Sequence, residues 1–193
     1  MSIAIIVNPI SGGARPDTAG HRVALAAAVV AAHGDAADVV VTERPGHARE
    51  LAAAAAARGA RLVIAWGGDG TVNEVASALA FGPTPMVIVA AGSGNGLARE
   101  LGVNRRPDRA IAAALHAEPR AIDVGELGGR FFVNLAGVGF DARVAERFGA
   151  CGSGRRGTGT STPNGCISTP GAISARACWA GGPPTAPTWL SRP

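Results

Sequence analysis

Four short runs of apolar, largely β-branched residues alternate with alanine-rich stretches through residues 1–118 of this 193-residue chain. Strands that are buried on both faces of a sheet read as continuous apolar runs, and their alternation with helices is typical of βαβ units. The runs predict strands over Ile3–Val7, Ala37–Val41, Leu62–Ala65 and Met86–Ala90. The sequence therefore predicts an α/β fold in which residues 1–118 form a Rossmann-like domain around a parallel sheet.

The alanine-rich stretches predict the helices of this domain. One helix start carries a capping signal, because Thr71 can cap it and Glu74, three residues later, would complete a capping box. The predicted helices cover Thr18–Ala32, Gly46–Ala57, Thr71–Ala80, Asn95–Leu101 and Pro107–Leu115.

The sequence pattern changes from Ile122 onward. The segment Ile122–Leu135 indicates two strands joined by a glycine-rich turn, and Asp141–Phe148 is compatible with one or two helical turns. We therefore expect residues 119–150 to begin a second, β-rich domain, which the following residues leave incomplete.

Residues 151–193 differ in composition from the rest of the chain. They are rich in Gly, Pro, Ser and Thr, contain all three cysteines, and have no Asp or Glu. Their few large aliphatic side chains cannot bury enough surface to offset chain entropy, which predicts a disordered tail. A natural low-complexity tail is one explanation. The abrupt loss of acidic residues favours another, a reading-frame shift near Gly149 that replaced the rest of the second domain.

The formal net charge of +4 also belongs to this tail. Residues 1–150 are neutral, and the excess comes from Arg155, Arg156, Arg176 and Arg192. Nucleic acid is therefore not an expected partner. The chain has no lysine, which excludes a Walker A loop, a protein-kinase ATP lysine and a Schiff-base enzyme. Any bound phosphate must be held by backbone amides, arginine or a metal ion.

Targeting and cysteine signals are absent from the sequence. The N-terminus has no positively charged region before its short apolar run, which excludes a typical signal peptide, and no apolar run reaches the ~20 residues of a membrane span. The odd number of cysteines supports neither a zinc site nor a disulfide framework. A soluble cytoplasmic protein without a transmembrane segment is the expectation.

Three glycine-rich motifs follow predicted strands. Motif 1 is NPISGG (residues 8–13), motif 2 is GGDGTVNEV (67–75) and motif 3 is GSGNGLAREL (92–101). Open α/β sheets bind ligands at the carboxyl ends of their strands, and glycine-rich loops that open helices offer backbone N–H groups to anions. The motifs therefore predict a phosphate site, although each taken alone could be a simple turn.

Asp69 is the unexpected member of motif 2. A carboxylate beside phosphates is repulsive unless it serves a cation or orders the loop through hydrogen bonds to the backbone. Both roles are open from the sequence, and an Asp-Gly turn before a capped helix is the alternative without a ligand.

Together the three motifs resemble the diacylglycerol kinase catalytic-domain family, which includes soluble bacterial lipid kinases, sphingosine kinases and ceramide kinases. They occur in the family order and at about its separations. Outside the motifs the match extends to VTERPGHA (41–48), AIDVG (121–125) and FVNLAGVGFD (132–141), so that it covers residues 1–148.

The resemblance implies an ATP site in the cleft between the α/β domain and a C-terminal β-sandwich, with ATP and Mg²⁺ as cofactors. Asp69 and Asp123 match residues of a magnesium-linked network, and His47 falls near the cleft or on the surface at a helix start. The implied nucleotide-binding residues are Asn8, Thr42, Gly67, Gly68, Asp69, Gly70, Thr71, Val72, Asn73 and Ser93.

The chain departs from the family pattern in two places. Gly96 stands where the commonest form of motif 3 has Asp, although the sphingosine-kinase branch also lacks that Asp. The acidic residue expected to deprotonate the lipid hydroxyl lies late in the family's second domain, and residues 151–193 contain no acidic residue. We therefore expect the catalytic base to be missing from this chain and the chain itself to be inactive.

The leading functional prediction is a kinase that transfers the γ-phosphoryl group of ATP to a hydroxyl of a diacylglycerol-like or sphingoid lipid. Its expected partner is the lipid at a membrane surface, where the protein would act peripherally, and a homodimer is compatible with the resemblance. One alternative is an ATP-binding fragment without catalysis. Another is an NAD kinase-like enzyme, because NAD kinases share the core of motif 2.

Overall fold

The four predicted parallel strands form one sheet in the computed structural model, which describes residues 2–13, 17–134, 142–143 and 175–180. They lie in the order β2-β1-β3-β4, and every neighbouring pair is parallel. Three of them have the predicted bounds, and β3 continues two residues beyond its predicted end. The strands are β1 (Ile3–Val7), β2 (Ala37–Val41), β3 (Leu62–Gly67) and β4 (Met86–Ala90). The predicted α/β fold with a parallel sheet is confirmed.

All five predicted helices are present, with ends that differ from the prediction by at most two residues. A tight turn over Ser11–Gly13, in which Gly12 and Gly13 have left-handed backbone conformations, precedes the first of them. The helices are α1 (Asp17–Ala32), α2 (His47–Ala57), α3 (Asp69–Leu79), α4 (Gly96–Glu100) and α5 (Pro107–Leu115).

The predicted capping box of α3 is wrong. The helix begins at Asp69, two residues before Thr71. Its N-cap is Gly68, whose backbone is extended (φ −90°, ψ −175°). Thr71 and Glu74 therefore lie inside the helix. Their side chains accept hydrogen bonds from Asn8 and Gly46, which are distant in sequence.

Alternation of side chains along the strands supplies a core on each face of the sheet. Ile5 faces α1 and α5, where it packs in a cluster with Val30 and Ile111. Ile6 faces the opposite way, into a cluster with residues of α2 and α3 such as Val75. These side chains are at most 1% exposed, and each contributes about 1.5–3 kcal/mol by burial. Helices on both faces explain why the strands read as unbroken apolar runs.

A β-hairpin follows the α/β part, as the sequence predicts. Strand β5 (Pro119–Leu127) pairs antiparallel with β6 (Arg130–Phe132). The two residues between the strands, Gly128 and Gly129, have φ values of 58° and 74°, which is the left-handed conformation that a two-residue hairpin turn requires.

One further strand, β7 (Ala175–Ala180), lies between β4 and β5. It pairs antiparallel with β5 along six register positions. Its pairing with β4 is parallel and is recorded at Met86 alone. The order of the whole sheet is β2-β1-β3-β4-β7-β5-β6. The sequence analysis predicted no strand after residue 150, and the rest of that tail lies outside the described residues.

Three other expectations bear on the described residues only in part. Of the predicted helical turn Asp141–Phe148, residues 142–143 are described and are helical. The proposed domain boundary after residue 118 stays a prediction. No helix in the described part of the chain is long and apolar enough to cross a membrane.

Candidate active site

The register of the parallel strands brings their carboxyl ends to one edge of the sheet. Val7 is paired with Val41 on one side and with Trp66 on the other, and Gly67 is paired with Ala90. Motif 1 begins directly after Val7, and the segment 42–47 (the Thr42 segment) begins directly after Val41. Motif 2 begins at Gly67, and motif 3 begins two residues after Ala90. All three motifs therefore meet at one edge, as the strand pattern predicts for a ligand site.

Backbone hydrogen bonds carry this alignment one residue beyond the strands. Each of the loops after β1, β2 and β4 begins with an N–H that donates to the carbonyl of a neighbouring strand. The donors and acceptors are Asn8 to Trp66 at 2.8 Å, Thr42 to Val7 at 2.8 Å and Ala91 to Gly67 at 2.9 Å.

In motif 1, the side chain of Asn8 shapes its own loop and ties it to motif 2. Its Oδ1 accepts the backbone N–H of Ile10 at 3.0 Å, and its Nδ2 donates to Thr71 Oγ1 at 2.9 Å. Gly12 has φ 72°, and a Cβ there would collide with the carbonyl oxygen of Ala91. Gly12 of motif 1 therefore contacts the backbone of Ala91, directly before motif 3, at a distance that only glycine allows.

Arg22 is a site residue that the sequence analysis missed. Its guanidinium is buried beneath motif 1, where Nη1 donates to the Asn8 carbonyl at 2.7 Å and to Ser11 Oγ at 2.8 Å. Nη2 donates to the Ser11 carbonyl at 3.0 Å. Burial lowers the pKa of Arg22, but an arginine stays charged at neutral pH. A positive charge therefore lies under the loop in a chain without lysine.

The sequence did contain a signal for Arg22. It lies four residues before Ala26 and eight before Val30, so that all three share one face of α1. Ala26 and Val30 are completely buried. A charged residue in register with a core-facing stripe indicates a specific partner, which here is motif 1.

The backbones of motifs 2 and 3 are in direct contact. A Cβ on Gly92 would lie 2.7 Å from Gly68 Cα, and a Cβ on Gly67 would lie 2.5 Å from the Thr71 side chain. Within the described residues, the backbone N–H groups of Gly68, Asp69 and Gly70 have no acceptor. They stand at the positive end of the 11-residue helix α3. The arrangement can hold an anion such as a phosphate.

Asp69 orders the loop, which is one of the two roles that the sequence left open. Its Oδ2 accepts the backbone N–H of Asn95 at 2.8 Å, and its Oδ1 accepts that of Gly96 at 2.7 Å. The carboxylate thereby caps α4, which has no side-chain cap of its own. Asn95 in turn closes motif 3 on itself, because its side chain exchanges two hydrogen bonds with the backbone of Gly92.

Asn73 and Glu74, next to each other on α3, make contacts in different directions. The side-chain amide of Asn73 donates to the Phe131 carbonyl at 3.2 Å and accepts the Val133 N–H at 3.2 Å. Glu74 Oε1 accepts the N–H of Gly46 at 2.9 Å. Asn73 thus fastens the β5–β6 hairpin to α3, and Glu74 fastens the segment before α2.

The remaining residues predicted for the site, and His47, differ in burial and in their contacts. Thr42 is buried at the start of its segment, and Ser93 is exposed in motif 3. Val72 is 4% exposed and packs in the core, so only its backbone faces the loop. His47 accepts the Glu43 N–H on Nδ1 at 3.2 Å, as a residue at a helix start.

The described residues do not assemble a protein-only metal site. No group of three or more His, Cys, Asp or Glu side chains among them could hold an ion. Asp123 is exposed on β5, and within this part of the chain no hydrogen bond joins it to Asp69. A magnesium-linked role for Asp69 and Asp123 therefore stays a prediction.

The surroundings of Gly96 leave no space for a side chain at this position. A Cβ there would collide with the side-chain amide of Asn134, just beyond β6. Asn134 therefore takes the space of a side chain at position 96, and no sequence motif indicates this contact.

Comparison with known proteins gives the family context of this site. The model of the diacylglycerol kinase catalytic domain matches residues 2–127. A protein of Pseudomonas savastanoi named "Probable lipid kinase YegS-like" is 40% identical over 109 residues, which are 55% of this chain and 35% of that protein. A relative of the same name from Chromohalobacter salexigens is 43% identical over 110 residues, with the same two shares.

A solved structure agrees with the sequence matches. The crystal structure of a diacylglycerol kinase from Bacillus anthracis superimposes with a TM-score of 0.57 at 26% identity. The superposition covers 69% of this chain and 48% of that one. The chain thus spans about a third of the curated relatives and about half of the solved kinase.

Proposed function

Because this chain belongs to the diacylglycerol kinase catalytic-domain family, we propose that its three motifs form the ATP site of a kinase that phosphorylates a lipid hydroxyl. The observation that carries the proposal is the cradle of backbone N–H groups at Gly68, Asp69 and Gly70. It lies at the N-terminus of α3, where the backbone of motif 3 at Gly92 approaches Gly68 too closely for a side chain.

The cradle suits phosphoryl transfer without a lysine. Such transfer depends on the position of the phosphates and on neutralisation of their charge, with little covalent chemistry by the protein. The N–H groups of motif 2 would hold phosphate oxygens, and the buried Arg22 would make the potential under motif 1 positive. Asn8 and Thr71 would keep motifs 1 and 2 in register through their mutual hydrogen bond.

Magnesium is expected to enter with the nucleotide. Mg²⁺ keeps several waters and is usually bound through substrate phosphates with one or two carboxylates, so it does not need a cage of protein ligands. That requirement fits the described residues, whose candidate carboxylates are Asp69 and Asp123. When bound, the ion would neutralise charge on the transferred phosphoryl group.

The lipid acceptor, a peripheral membrane location and action in the cytoplasm are parts of the same proposal. The names of the relatives support a lipid substrate, and they do not distinguish a diacylglycerol from a sphingoid base. The resemblance places the catalytic base, an acidic residue, late in the second domain, but the last acidic residue of these 193 is Glu146. We therefore expect this chain to bind Mg-ATP without measurable lipid phosphorylation. A binding function without catalysis is therefore the second candidate.

Two measurements on the full 193-residue chain test the proposal. Calorimetric titration with Mg-ATP should show saturable binding, and Asp69→Ala should weaken it by more than tenfold because motif 3 loses its tie to motif 2. Absence of binding by the wild-type chain would refute the ATP site. Transfer of labelled phosphate from ATP should then be measured with diacylglycerol in detergent micelles, sphingosine and NAD side by side. Lipid labelling that Asp69→Ala abolishes would establish catalysis and overturn the expected inactivity.

A further inference from the structure

Glu74 makes a contact that nucleotide recognition by the motif 2 backbone does not explain. Its carboxylate is half-buried and accepts the N–H of Gly46, a residue 28 positions earlier. Gly46 is the N-cap of α2, has φ 82°, and gives that helix no side-chain cap. Glu74 therefore supplies from α3 the acceptor that α2 lacks, and a negative charge at the N-terminus of a helix is also favourable.

The Gly46 contact holds one end of the segment 42–47. At one end of this segment, the Thr42 N–H is bound to the Val7 carbonyl. At the other end, the Gly46 N–H is bound to Glu74. The segment therefore spans from the sheet edge to α3, and these two hydrogen bonds place Thr42 beside the motifs.

Asp69 performs the corresponding task on the other flank of the same helix. Its carboxylate caps α4 through the N–H groups of Asn95 and Gly96, as Glu74 caps α2 through Gly46. Neither α2 nor α4 has a side-chain cap within its own sequence. The two acidic residues of motif 2 thus hold the structures on both sides of the N–H cradle.

We propose that Glu74 is a positioning residue of the nucleotide site, which holds the Thr42 segment against α3 and contacts no ligand itself. The inference rests on the proposed ATP site. It assigns the second carboxylate of motif 2 to the geometry of the site rather than to a metal ion or to proton transfer.

Three substitutions of Glu74 separate its acceptor atom from its charge. Glu74→Gln keeps an oxygen at the same reach and removes the charge, Glu74→Asp keeps the charge on a shorter side chain, and Glu74→Ala removes both. We expect Glu74→Ala and Glu74→Asp to weaken Mg-ATP binding by about tenfold, and Glu74→Gln to stay within about threefold of wild type. A tenfold change corresponds to about 1.4 kcal/mol.

Glu50→Ala is the matched control on α2. Glu50 is an exposed carboxylate that is paired with Arg44, whose guanidinium holds the pKa of Glu50 below its ordinary value. Because such surface pairs contribute little, this variant should bind Mg-ATP like the wild type. Hydrogen exchange should show faster exchange of the amides of residues 46–48 in Glu74→Ala and Glu74→Asp alone.

The outcomes distinguish the two proposals. If the wild-type chain does not bind Mg-ATP, the proposed ATP site fails and the inference with it. If the wild type binds, and the Ala and Asp variants bind equally well although residues 46–48 exchange faster, the ATP site stands and the positioning role is wrong. Loss of binding in Glu74→Gln as large as in Glu74→Ala would also overturn it, because the charge and not the acceptor would then matter.

Discussion

The parallel part of the sheet and the β5–β6 hairpin are built from different sequence patterns and are held by different forces. Every residue of β1 and β3 is buried, whereas Val124 is the single buried residue among the nine of β5. The parallel strands are covered by helices on both faces. The hairpin is attached to α3 by polar contacts of Asn73 and Ser77 to its backbone, together with the packing of a few apolar side chains.

The difference in packing shows which part of the candidate site is held rigid by the core. The edge that carries motifs 1 to 3 is an extension of the best-packed strands, so its backbone is fixed by the core. The hairpin contributes Asn134 over Gly96, but it contacts the motifs through hydrogen bonds that a single substitution can remove. We expect the sheet edge that carries motifs 1 to 3 to persist when the hairpin is loosened.

The largest expected difference comes from the same substitution in both regions. Ile64 in β3 is completely buried, and Ile64→Ala should lower the free energy of unfolding by about 3–5 kcal/mol through lost burial and a cavity. Ile122 in β5 is half-buried, and Ile122→Ala should cost about 1–2 kcal/mol. Urea denaturation followed by circular dichroism measures both. Equal losses would show that the two regions are packed alike.

A second substitution tests the close approach of motifs 2 and 3. Gly92→Ala would place a Cβ 2.7 Å from Gly68 Cα, so the two backbones must separate. We expect a loss of about 1–3 kcal/mol in stability and a fall in Mg-ATP affinity. Gly20→Ala is the matched control, because that exposed glycine of α1 has open space around its Cβ position. It should stabilise the helix by about 0.5–1 kcal/mol. Unchanged ATP affinity in Gly92→Ala would argue against the cradle.

A third substitution tests the attachment of the hairpin. Asn73→Ala removes the hydrogen bonds to Phe131 in β6 and to Val133 just after it. The loss should cost about 1–3 kcal/mol, because both backbone partners are part-buried and lose their hydrogen bonds. Amide exchange should accelerate in β5 and β6 and stay slow in β1 and β3. Ser77→Ala, which removes one long hydrogen bond of 3.4 Å to the same carbonyl, serves as the milder control. Faster exchange in β1 would show that the hairpin and the parallel sheet unfold as one unit.

The sequence predictions were accurate where the signal comes from neighbouring residues. Three of the parallel strands have their predicted bounds, because apolar runs that are buried on both faces are a strong local signal. The glycine turn of the hairpin was equally visible. The capping box was wrong because Thr71 and Glu74 bond to Asn8 and Gly46, distant residues that no local pattern reveals. Strand β7 was not predicted, since its six residues (ARACWA) include an arginine and contain no β-branched side chain.

The amino-acid sequence alone was enough to predict the order of strands and helices through β6, the three glycine motifs at the strand ends and the family to which they point. These features depend on short-range chemistry: apolar runs, glycine conformations and helix propensities are properties of neighbouring residues. The partners of the polar side chains at the site, in contrast, depend on the tertiary structure. Arg22 under motif 1, Asp69 and Glu74 as caps of α4 and α2, and Asn134 over Gly96 join residues from 11 to 38 positions apart. Their contacts depend on how the helices pack on the sheet, and sequence spacing carries no record of that packing.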